Sequence, residues 1–356
     1  MQKILIINIF GIGDVLFTTP LISNLIKQNP DCFIGYLGNR RTEPVLHANP
    51  YIKKVFIYER DEFNALYHQS KKLWWEKWQD LIQSIRAEHF DACIDLSLST
   101  FMNFLTLQAG IKERIGYNYK NRSPFLTKSL PLAGYENEHV VEYYLKLLNL
   151  LGVKTIVRDL GLHISENDQQ WAKNFLKENK ISSDRLVGLV PGGGASWGKA
   201  AFEKRWPAEN YAKLADKIIE KGHVDIILMG DSSEEQLCSQ VASLMKHQVV
   251  NACGKTTVLT FGALARESRF FIVNDGGPLH LAVASGTQTL SIFGPVDENI
   301  YGPYPRGAHV VVKKDLACRP CYRRFRKASC EHLSCLRDIS VEDVFKEAER
   351  LLAKGR

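Results

Sequence analysis

The chain of 356 residues contains no apolar run that approaches the ~20 residues needed to cross a bilayer. It also lacks a fixed-period repeat and a low-complexity tract. Hydrophobic residues make up 45% of the chain and charged residues 24%. These features argue against a membrane-spanning protein, a collagen, a coiled coil and a wholly disordered chain, and the length is sufficient for two compact domains.

The N-terminal segment MQKILIINIF lacks the small-residue cleavage pattern of a signal peptide, and Asn8 interrupts its apolar core. We interpret it as a buried strand. Eight cysteines, four of them scattered and four between Cys318 and Cys335, do not form the disulfide framework typical of a small secreted domain, so we expect a cytoplasmic protein. The net charge of +7 fits anionic ligands or anionic lipid and does not by itself indicate nucleic acid.

Strand-length apolar runs alternate with amphipathic segments along both halves of the chain, and the alternation restarts after the polar stretch ISENDQQ. The pattern predicts an α/β fold with two Rossmann-like doubly wound domains that face a cleft. We place them at residues 1–165 and 166–356, the second including a cysteine-rich segment (318–335) and a C-terminal helix. Ligands of open parallel sheets bind beyond the carboxyl ends of the strands, so the loops there are the candidate sites.

The first loop, GIGDVLFTTP, contains Gly11 and Gly13 but has Leu16 at the third glycine position of a dinucleotide fingerprint. The second strand ends without an acid for a ribose, which also disfavours nicotinamide or flavin. The loop delivers Asp14 to a helix N-terminus. Asp14 is either a helix cap or a general base for an acceptor hydroxyl, and the two roles are compatible because the helix dipole favours the ionised carboxylate.

The second loop, PGGGASWGKAAFEKRWP, follows a strand and lacks the GKS or GKT signature of a Walker motif. Its glycines are able to turn backbone N–H groups towards an anion, and nearby side chains add donors and positive charge. The alternative is a flexible surface turn. We favour phosphate contact, and the candidate residues are Gly192, Gly193, Ser196, Lys199, Lys204 and Arg205.

The third loop, NDGGPLHLAVASG, gives the sharpest signal. An apolar strand runs into Asp275, Gly276 and Gly277, and Pro278 then opens a helix whose N-terminus is suited to a phosphate. His280 lies in the first turn, as a ligand contact or as a structural histidine. Glu234, in GDSSE after another strand, is either a ribose acceptor or part of a solvated helix start. The loop SIFGPVDENIYGPYP, with three prolines, is stiff enough to wall the cleft but suggests no chemical role.

Together these loops resemble glycosyltransferase family nine, the heptosyltransferases of lipopolysaccharide core assembly. The matching segments are GIGDVLFTTP, the PGG loop ending in KRWP, GDSSE, NDGGPLHLAVASG and FGPVD. The resemblance implies a two-domain glycosyltransferase of the GT-B fold, with the acceptor bound by the first half, near Gly11 and Gly13, and ADP-heptose bound by the second.

Carried over by residue, the resemblance implies that Asp14 is the catalytic base, that Lys204 meets the donor diphosphate and that Glu234 holds the ribose. It assigns the diphosphate-binding turn to Asp275, Gly276, Gly277 and His280. The chain contains no Asp-x-Asp pair to hold a divalent metal on the diphosphate, so we expect metal-independent catalysis in which Lys204 and the helix N-terminus neutralise the leaving group. A single displacement would invert the anomeric carbon.

Four cysteines lie within a short segment with the spacing of a metal knuckle: Cys318, Cys321, Cys330 and Cys335. We expect structural zinc there, or alternatively iron, since some protein-modifying heptosyltransferases are similar in carrying a four-cysteine iron site. The other alternative is a set of reduced or disulfide-bonded thiols. No catalytic cofactor is expected.

The segment KKLWWEKWQDLIQSI predicts a helix with Trp74, Trp78, Leu81 and Ile85 on one face and lysines alongside. A core-facing helix is the favoured interpretation. The alternative is a peripheral helix on the inner face of the cytoplasmic membrane. The basic residues between 313 and 327 are suited to the phosphates of a lipid-linked acceptor.

The leading hypothesis is an inverting, metal-independent enzyme that moves heptose from ADP-heptose to a hydroxyl of a lipopolysaccharide inner-core acceptor. Two alternatives are a protein O-heptosyltransferase of the four-cysteine type and a non-catalytic nucleotide-sugar-binding protein. Nucleic acid is not expected as a partner, because the basic residues are not gathered with aromatics into a recognisable module.

Overall fold

A computed structural model of the chain describes residues 2–194 and 197–353, with Lys199 described by its backbone alone. These residues form two compact units. Unit 1 contains residues 2–135 and 140–159, and unit 2 contains residues 136–139 and 160–353.

Unit 1 is built on a six-stranded parallel sheet of order β3-β2-β1-β4-β5-β6. The strands are β1 (Lys3–Ile7), β2 (Phe33–Gly38), β3 (Ile52–Ile57), β4 (Ala92–Asp95), β5 (Glu113–Tyr119) and β6 (Lys128–Leu132). The helices are α1 (Ile12–Leu16), α2 (Thr19–Gln28), α3 (Glu43–Ala48), α4 (Arg60–Gln69), α5 (Lys71–Ala87), α6 (Thr100–Gln108) and α7 (Val140–Lys146), with 3₁₀ turns at Arg40–Thr42 and Leu147–Leu151.

Unit 2 repeats this strand arrangement in the order β12-β11-β10-β7-β8-β9, again wholly parallel. The strands are β7 (Leu186–Val190), β8 (Asp225–Leu228), β9 (Val250–Asn251), β10 (Phe270–Asn274), β11 (Gln288–Phe293) and β12 (Val310–Lys313). A separate antiparallel hairpin pairs β13 (Tyr322–Arg323) with β14 (Arg326–Lys327).

The helices of unit 2 connect these strands. They are α8 (Glu166–Glu178), α9 (Ala208–Gly222), α10 (Glu235–Leu244), α11 (Val258–Glu267), α12 (Gly277–Ala284), α13 (Glu298–Tyr301), α14 (Ser334–Arg337) and α15 (Val341–Ala353). Short 3₁₀ turns lie at Ser183–Arg185, Gly198–Lys204 and Ser232–Glu234. At the start of α15 the Ser340 Oγ accepts a hydrogen bond from the Asp343 N–H, as expected of an N-cap.

The central strands of both sheets, such as β1, β7 and β10, are continuous apolar runs, as expected where helices cover both faces of a parallel sheet. Every residue of β7 and β10 is buried, and Val187, Leu189, Phe270 and Ile272 on one face pack with side chains of α9 and α15 in one core. The strand order reverses direction between β1 and β4 in unit 1, and between β7 and β10 in unit 2. Ligands bind at such switch points, beyond the carboxyl ends of the strands.

The helix α5 buries the face that carries Trp78, Leu81 and Ile85. Trp78 is 1% exposed and stacks on Phe101 with ring centroids 4.1 Å apart. The favoured interpretation of this face as core is thus correct. In the described part of the chain, no helix is both long and apolar enough to cross a membrane.

Candidate active site

Two loops meet at the switch point of unit 2, and Asn274 at the end of β10 joins them. Its Oδ1 accepts a hydrogen bond from the Trp206 N–H (3.1 Å), and its Nδ2 donates to the carbonyl of Pro191 (2.7 Å). Asn274 is fully buried, so its amide groups need these partners. The amide fixes the glycine loop after β7 against the turn after β10.

Glycine is required where these loops touch. A Cβ atom on Gly276 would lie 1.8 Å from the carbonyl oxygen of Gly193, a distance that no side chain tolerates. Gly193 itself has a φ of 89°, in the left-handed region that favours glycine. A Cβ on Gly277, by contrast, would meet no described atom within 4 Å. The described atoms therefore leave space above the first residue of α12, where a helix N-terminus attracts anions.

Lys204 is brought to this turn by the 3₁₀ segment after the glycine loop. Its Nζ lies 2.6 Å from the Oδ2 of Asp275 and 4.5 Å from the ring centroid of Trp197. The side chains of Lys204 and Asp275 are 11% and 5% exposed. The structure thus places a cation beside the open N-terminus of α12, with a carboxylate that balances its charge.

Glu234 lies directly beneath the glycine loop. Its Oε1 accepts hydrogen bonds from the Gly194 N–H (2.9 Å) and the Arg205 Nη2 (3.3 Å), and its Oε2 accepts one from the Asp231 N–H (3.2 Å). Burial raises the pKa of this carboxyl above its usual value. Since Arg205 also donates to the carbonyl of Gly192 (3.0 Å), both side chains hold the loop in place. The ribose contact of Glu234 stays a prediction.

His280 is buried in α12 and neutral at physiological pH. Burial, with smaller effects from His139 and Lys204, lowers its pKa to about 3. The neighbouring His139 contacts the Gly302 carbonyl through Nε2 (3.1 Å) and stacks on Tyr304. A neutral imidazole is able to donate or accept one hydrogen bond without adding charge. Ser196, predicted as a further donor-side residue, lies outside the described residues, as does the side chain of Lys199.

Asp14 lies in the first turn of α1 in unit 1, where its Oδ2 accepts a hydrogen bond from the Gly11 N–H (3.2 Å). Asp14 is therefore not the N-cap residue, a position that Gly11 holds; it is the third residue of the helix and accepts from the N-cap N–H, with Gly13 inside the helix. Burial raises the pKa of three tyrosines near this carboxylate, and the negative charge of Asp14 raises it further. They are Tyr36, Tyr135 and Tyr144, and no pattern in the sequence predicts that they lie near Asp14. Their hydroxyls stay protonated beside the carboxylate.

Asp95 is a second acid that sequence inspection missed. It ends β4, next to β1 at the switch point of unit 1, and it is buried. Its Oδ1 accepts from the Ser97 N–H (2.8 Å) and its Oδ2 from the Asn103 Nδ2 (2.6 Å). Burial raises its pKa to about 6 despite these hydrogen bonds. The signal in the sequence is the segment ACIDLS, in which an acid follows a short apolar run of strand length.

The described part of the chain does not support the metal knuckle predicted from Cys318, Cys321, Cys330 and Cys335. No group of three or more His, Cys, Asp or Glu residues there is placed to hold a metal ion. Cys335 packs in the apolar core beside Leu336, and burial raises its pKa to about 11, whereas Cys318 is exposed.

The cysteine-rich segment is hydrogen-bonded to the FGPVD loop, which follows β11. The N–H groups of Cys321 and Tyr322 donate to the Pro295 carbonyl at 2.9 and 3.2 Å. The Arg319 guanidinium donates to the carbonyls of Gly294 (2.5 Å) and Val296 (3.0 Å) and to Glu298 (3.1 Å). Lys313 also pairs with Glu298, so two residues of the basic run serve an internal ion pair rather than an acceptor.

The two wholly parallel six-stranded sheets have the fold of the GT-B class of glycosyltransferases. Among solved structures, a glycosyl transferase family 9 protein from Veillonella parvula superposes with a TM-score of 0.83, at 24% identity, over 99% of this chain and 98% of that one. The ADP-heptose lps heptosyltransferase II of E. coli superposes with a TM-score of 0.76, at 21% identity, over 99% of each chain. The predicted fold class is confirmed.

The family described as glycosyltransferase family 9 (heptosyltransferase) matches residues 78–332, and the chain belongs to this family. The predicted family is confirmed. Among curated relatives, the lipooligosaccharide heptosyltransferase 2 of Campylobacter jejuni is 33% identical over 222 residues. That match covers 61% of this chain and 65% of the relative, so it spans less than two thirds of the relative's length.

Proposed function

We propose that this family member transfers heptose from ADP-heptose to a hydroxyl of a lipopolysaccharide inner-core acceptor. Family membership and the activities named for the Campylobacter and E. coli proteins support this substrate pair. Residues 166–356 bind the donor and residues 1–165 the acceptor in this proposal.

The observation that carries the proposal is the Lys204 and Asp275 pair at the N-terminus of α12. A diphosphate at that point would receive backbone N–H groups, the positive end of the helix dipole and the Lys204 ammonium. These groups stabilise the ADP leaving group as negative charge develops on its phosphate oxygen. Catalysis without a divalent metal is therefore part of the proposal.

Asp14 is the proposed general base. The acceptor hydroxyl gives its proton to the Asp14 carboxylate while its oxygen bonds to the anomeric carbon. The bond from that carbon to the diphosphate breaks, and its electron pair leaves with ADP. This single displacement passes through an oxocarbenium-like state and inverts the anomeric configuration.

The test is a transfer assay with ADP-heptose and an inner-core acceptor, with and without EDTA. We expect a mass increase of one heptose on the acceptor, an inverted anomeric centre by NMR and a rate that EDTA leaves unchanged. ADP-heptose binding without any transfer would support the non-catalytic alternative instead. Transfer to protein only would support the four-cysteine alternative.

We further propose that the enzyme works in the cytoplasm and contacts the inner face of the membrane through the exposed side of α4 and α5. Tyr67 (47%), Leu73 and Trp75 (50%) are exposed there, and the Nζ of Lys71 lies 5.9 Å from the Tyr67 ring centroid. Aromatic, apolar and cationic side chains together suit an anionic lipid surface. These residues lie outside the helix face of Trp78, Leu81 and Ile85, which is buried in the core.

A vesicle co-sedimentation assay tests this contact. We expect wild-type protein to bind vesicles that contain phosphatidylglycerol and to lose that binding when Leu73 and Trp75 are both changed to Ser. Ile156→Ser, which removes an exposed apolar side chain on another segment, is the matched control. Equal binding by all three proteins would rule the contact out.

A further inference from the structure

Trp197 carries two lysines on its indole ring. The Nζ of Lys204 lies 4.5 Å from the ring centroid, and the Nζ of Lys327, on the β13–β14 hairpin, lies 5.4 Å from it. Like charges this close repel each other unless anions lie nearby. Each lysine has its own carboxylate: Lys204 pairs with Asp275 and Lys327 pairs with Glu203.

Contacts of the β13–β14 hairpin hold Lys327 beside the Trp197 ring. Tyr322 pairs with Lys327 across the two strands, so both side chains lie on one face. The Tyr322 ring contacts Trp197 at a centroid distance of 5.6 Å, which orients that face towards the indole. The hydrogen bonds of Cys321 and Tyr322 to Pro295 then tie the hairpin to the loop after β11.

The turn of this hairpin holds an unusual backbone. Arg324 and Phe325 have φ values of 50° and 62°, the left-handed pair of a two-residue type I′ turn, which glycine and asparagine normally occupy. Such a backbone persists only where surrounding contacts hold it. One of these contacts is the Arg324 Nε with Glu136 at 2.8 Å.

We propose that Lys327 is a second cation for the diphosphate of the nucleotide-sugar donor, beside Lys204. The inference rests on the proposed function, since it takes the donor to be a nucleoside diphosphate sugar. A diphosphate that reaches Lys204 brings at least two negative charges to an indole that already holds two ammonium groups. Lys327 then exchanges Glu203 for a phosphate oxygen.

The exchange is energetically reasonable. Lys327 is 26% exposed at its side chain and Glu203 13%, so solvent reaches the ammonium group and weakens the attraction within the pair. A charge-assisted hydrogen bond to phosphate is stronger than that. Glu203 therefore competes with the donor for Lys327 and repels the diphosphate, so removing Glu203 should not weaken donor binding.

Calorimetric titration with ADP tests this assignment. We expect Lys327→Gln to raise the Kd about tenfold, and Glu203→Gln to leave the Kd unchanged or lower it. Arg326→Gln removes the adjacent hairpin charge and is expected to change the Kd by less than about twofold. Adenosine, which has no phosphate, should bind all four proteins equally. Lys327→Arg should retain ADP affinity within a few-fold.

Equal losses in Lys327→Gln and Glu203→Gln would show that their pair only supports the fold and would overturn the inference. An unchanged Kd in Lys327→Gln would overturn it and leave the proposed function standing. Wild-type protein that fails to bind ADP would overturn both. Thermal unfolding of each variant establishes that it is folded, and retention of affinity by Lys327→Arg decides the matter if Lys327→Gln does not fold.

Discussion

The Nζ of Lys204 and the Oδ2 of Asp275 lie 2.6 Å apart, and this contact joins the loop after β7 to the turn after β10. Both side chains are almost fully buried. Removing one partner of such a pair leaves an uncompensated buried charge, which costs more than the pair itself contributes. The contact therefore holds the turn together and keeps a cation at the N-terminus of α12.

Lys204→Gln should lower the free energy of unfolding by about 3 kcal/mol, because Asp275 loses its partner. It should also weaken ADP binding by about tenfold or more. Lys204→Gln combined with Asp275→Asn removes both charges, so it should recover most of the stability but not the affinity. Urea unfolding and ADP titration of both variants measure the two effects, and recovery of affinity by the double variant would contradict the assignment of Lys204.

Gly276→Ala should lower the stability of the fold, whereas Gly277→Ala should weaken ADP binding and leave the stability unchanged, although the two glycines are adjacent. The new Cβ at position 276 meets the Gly193 carbonyl at 1.8 Å, so we expect a loss of about 3 kcal/mol of stability or failure to fold. The Cβ at position 277 meets no described atom within 4 Å, so stability should be kept. If the diphosphate occupies that space, Gly277→Ala should weaken ADP binding while its melting temperature stays close to that of the wild type.

Asp14→Asn should lower kcat by about 100-fold to 10,000-fold, the range for loss of a general base. The amide oxygen is still able to accept from the Gly11 N–H, so the fold should be kept. ADP affinity should stay close to wild type. Asp91→Asn is the control: it alters an acid of unit 1 that accepts from the Lys3 N–H. Transfer at the wild-type rate by Asp14→Asn would exclude Asp14 as the base.

Asp95 should make the stability of the chain fall as pH rises from about 4 to about 6. Its pKa is raised from 3.8 to about 6 in the folded state, so folding favours its protonated form. The stabilisation is complete below the unfolded pKa and is lost as pH rises through the folded pKa, a change of about 3 kcal/mol.

Asp95→Asn removes this dependence. The difference in unfolding free energy between wild type and Asp95→Asn, measured from about pH 4 to pH 7, isolates the effect of this carboxyl, because the other groups cancel. We expect the unfolding free energy of the wild type, relative to that of Asp95→Asn, to be higher at about pH 4 than at about pH 7. A difference that does not vary with pH would show that the buried carboxyl titrates normally.

The strands, helix starts and loop residues that the sequence predicts correctly are those that depend on a few neighbouring residues. Apolar runs such as Phe270–Asn274 are strands because helices cover both faces of a parallel sheet, and a glycine turn followed by Pro278 starts a helix. Asp14, Lys204, Asp275 and Gly276 could be nominated because parallel strands carry their ligand loops at one edge.

The features that local patterns do not predict depend on contacts between distant segments. The spacing of the four cysteines is typical of a metal knuckle, but Cys335 is drawn into the apolar core through α14. Trp197 and Lys327 are 130 positions apart in the sequence, and no local pattern connects a tryptophan in a glycine loop with a lysine in a hairpin.

Local sequence patterns are sufficient to predict the parallel sheets, the loops that follow their strands and the family, because hydrophobic period and glycine placement act over a few residues. The contacts of the charged and sulfur-containing side chains become visible only in the folded chain. Glu234 supports the glycine loop, Arg319 holds the loop after β11, and Cys335 fills the core. The physical reason is that burial and pairing of a polar group depend on neighbours that the fold brings together from distant parts of the chain.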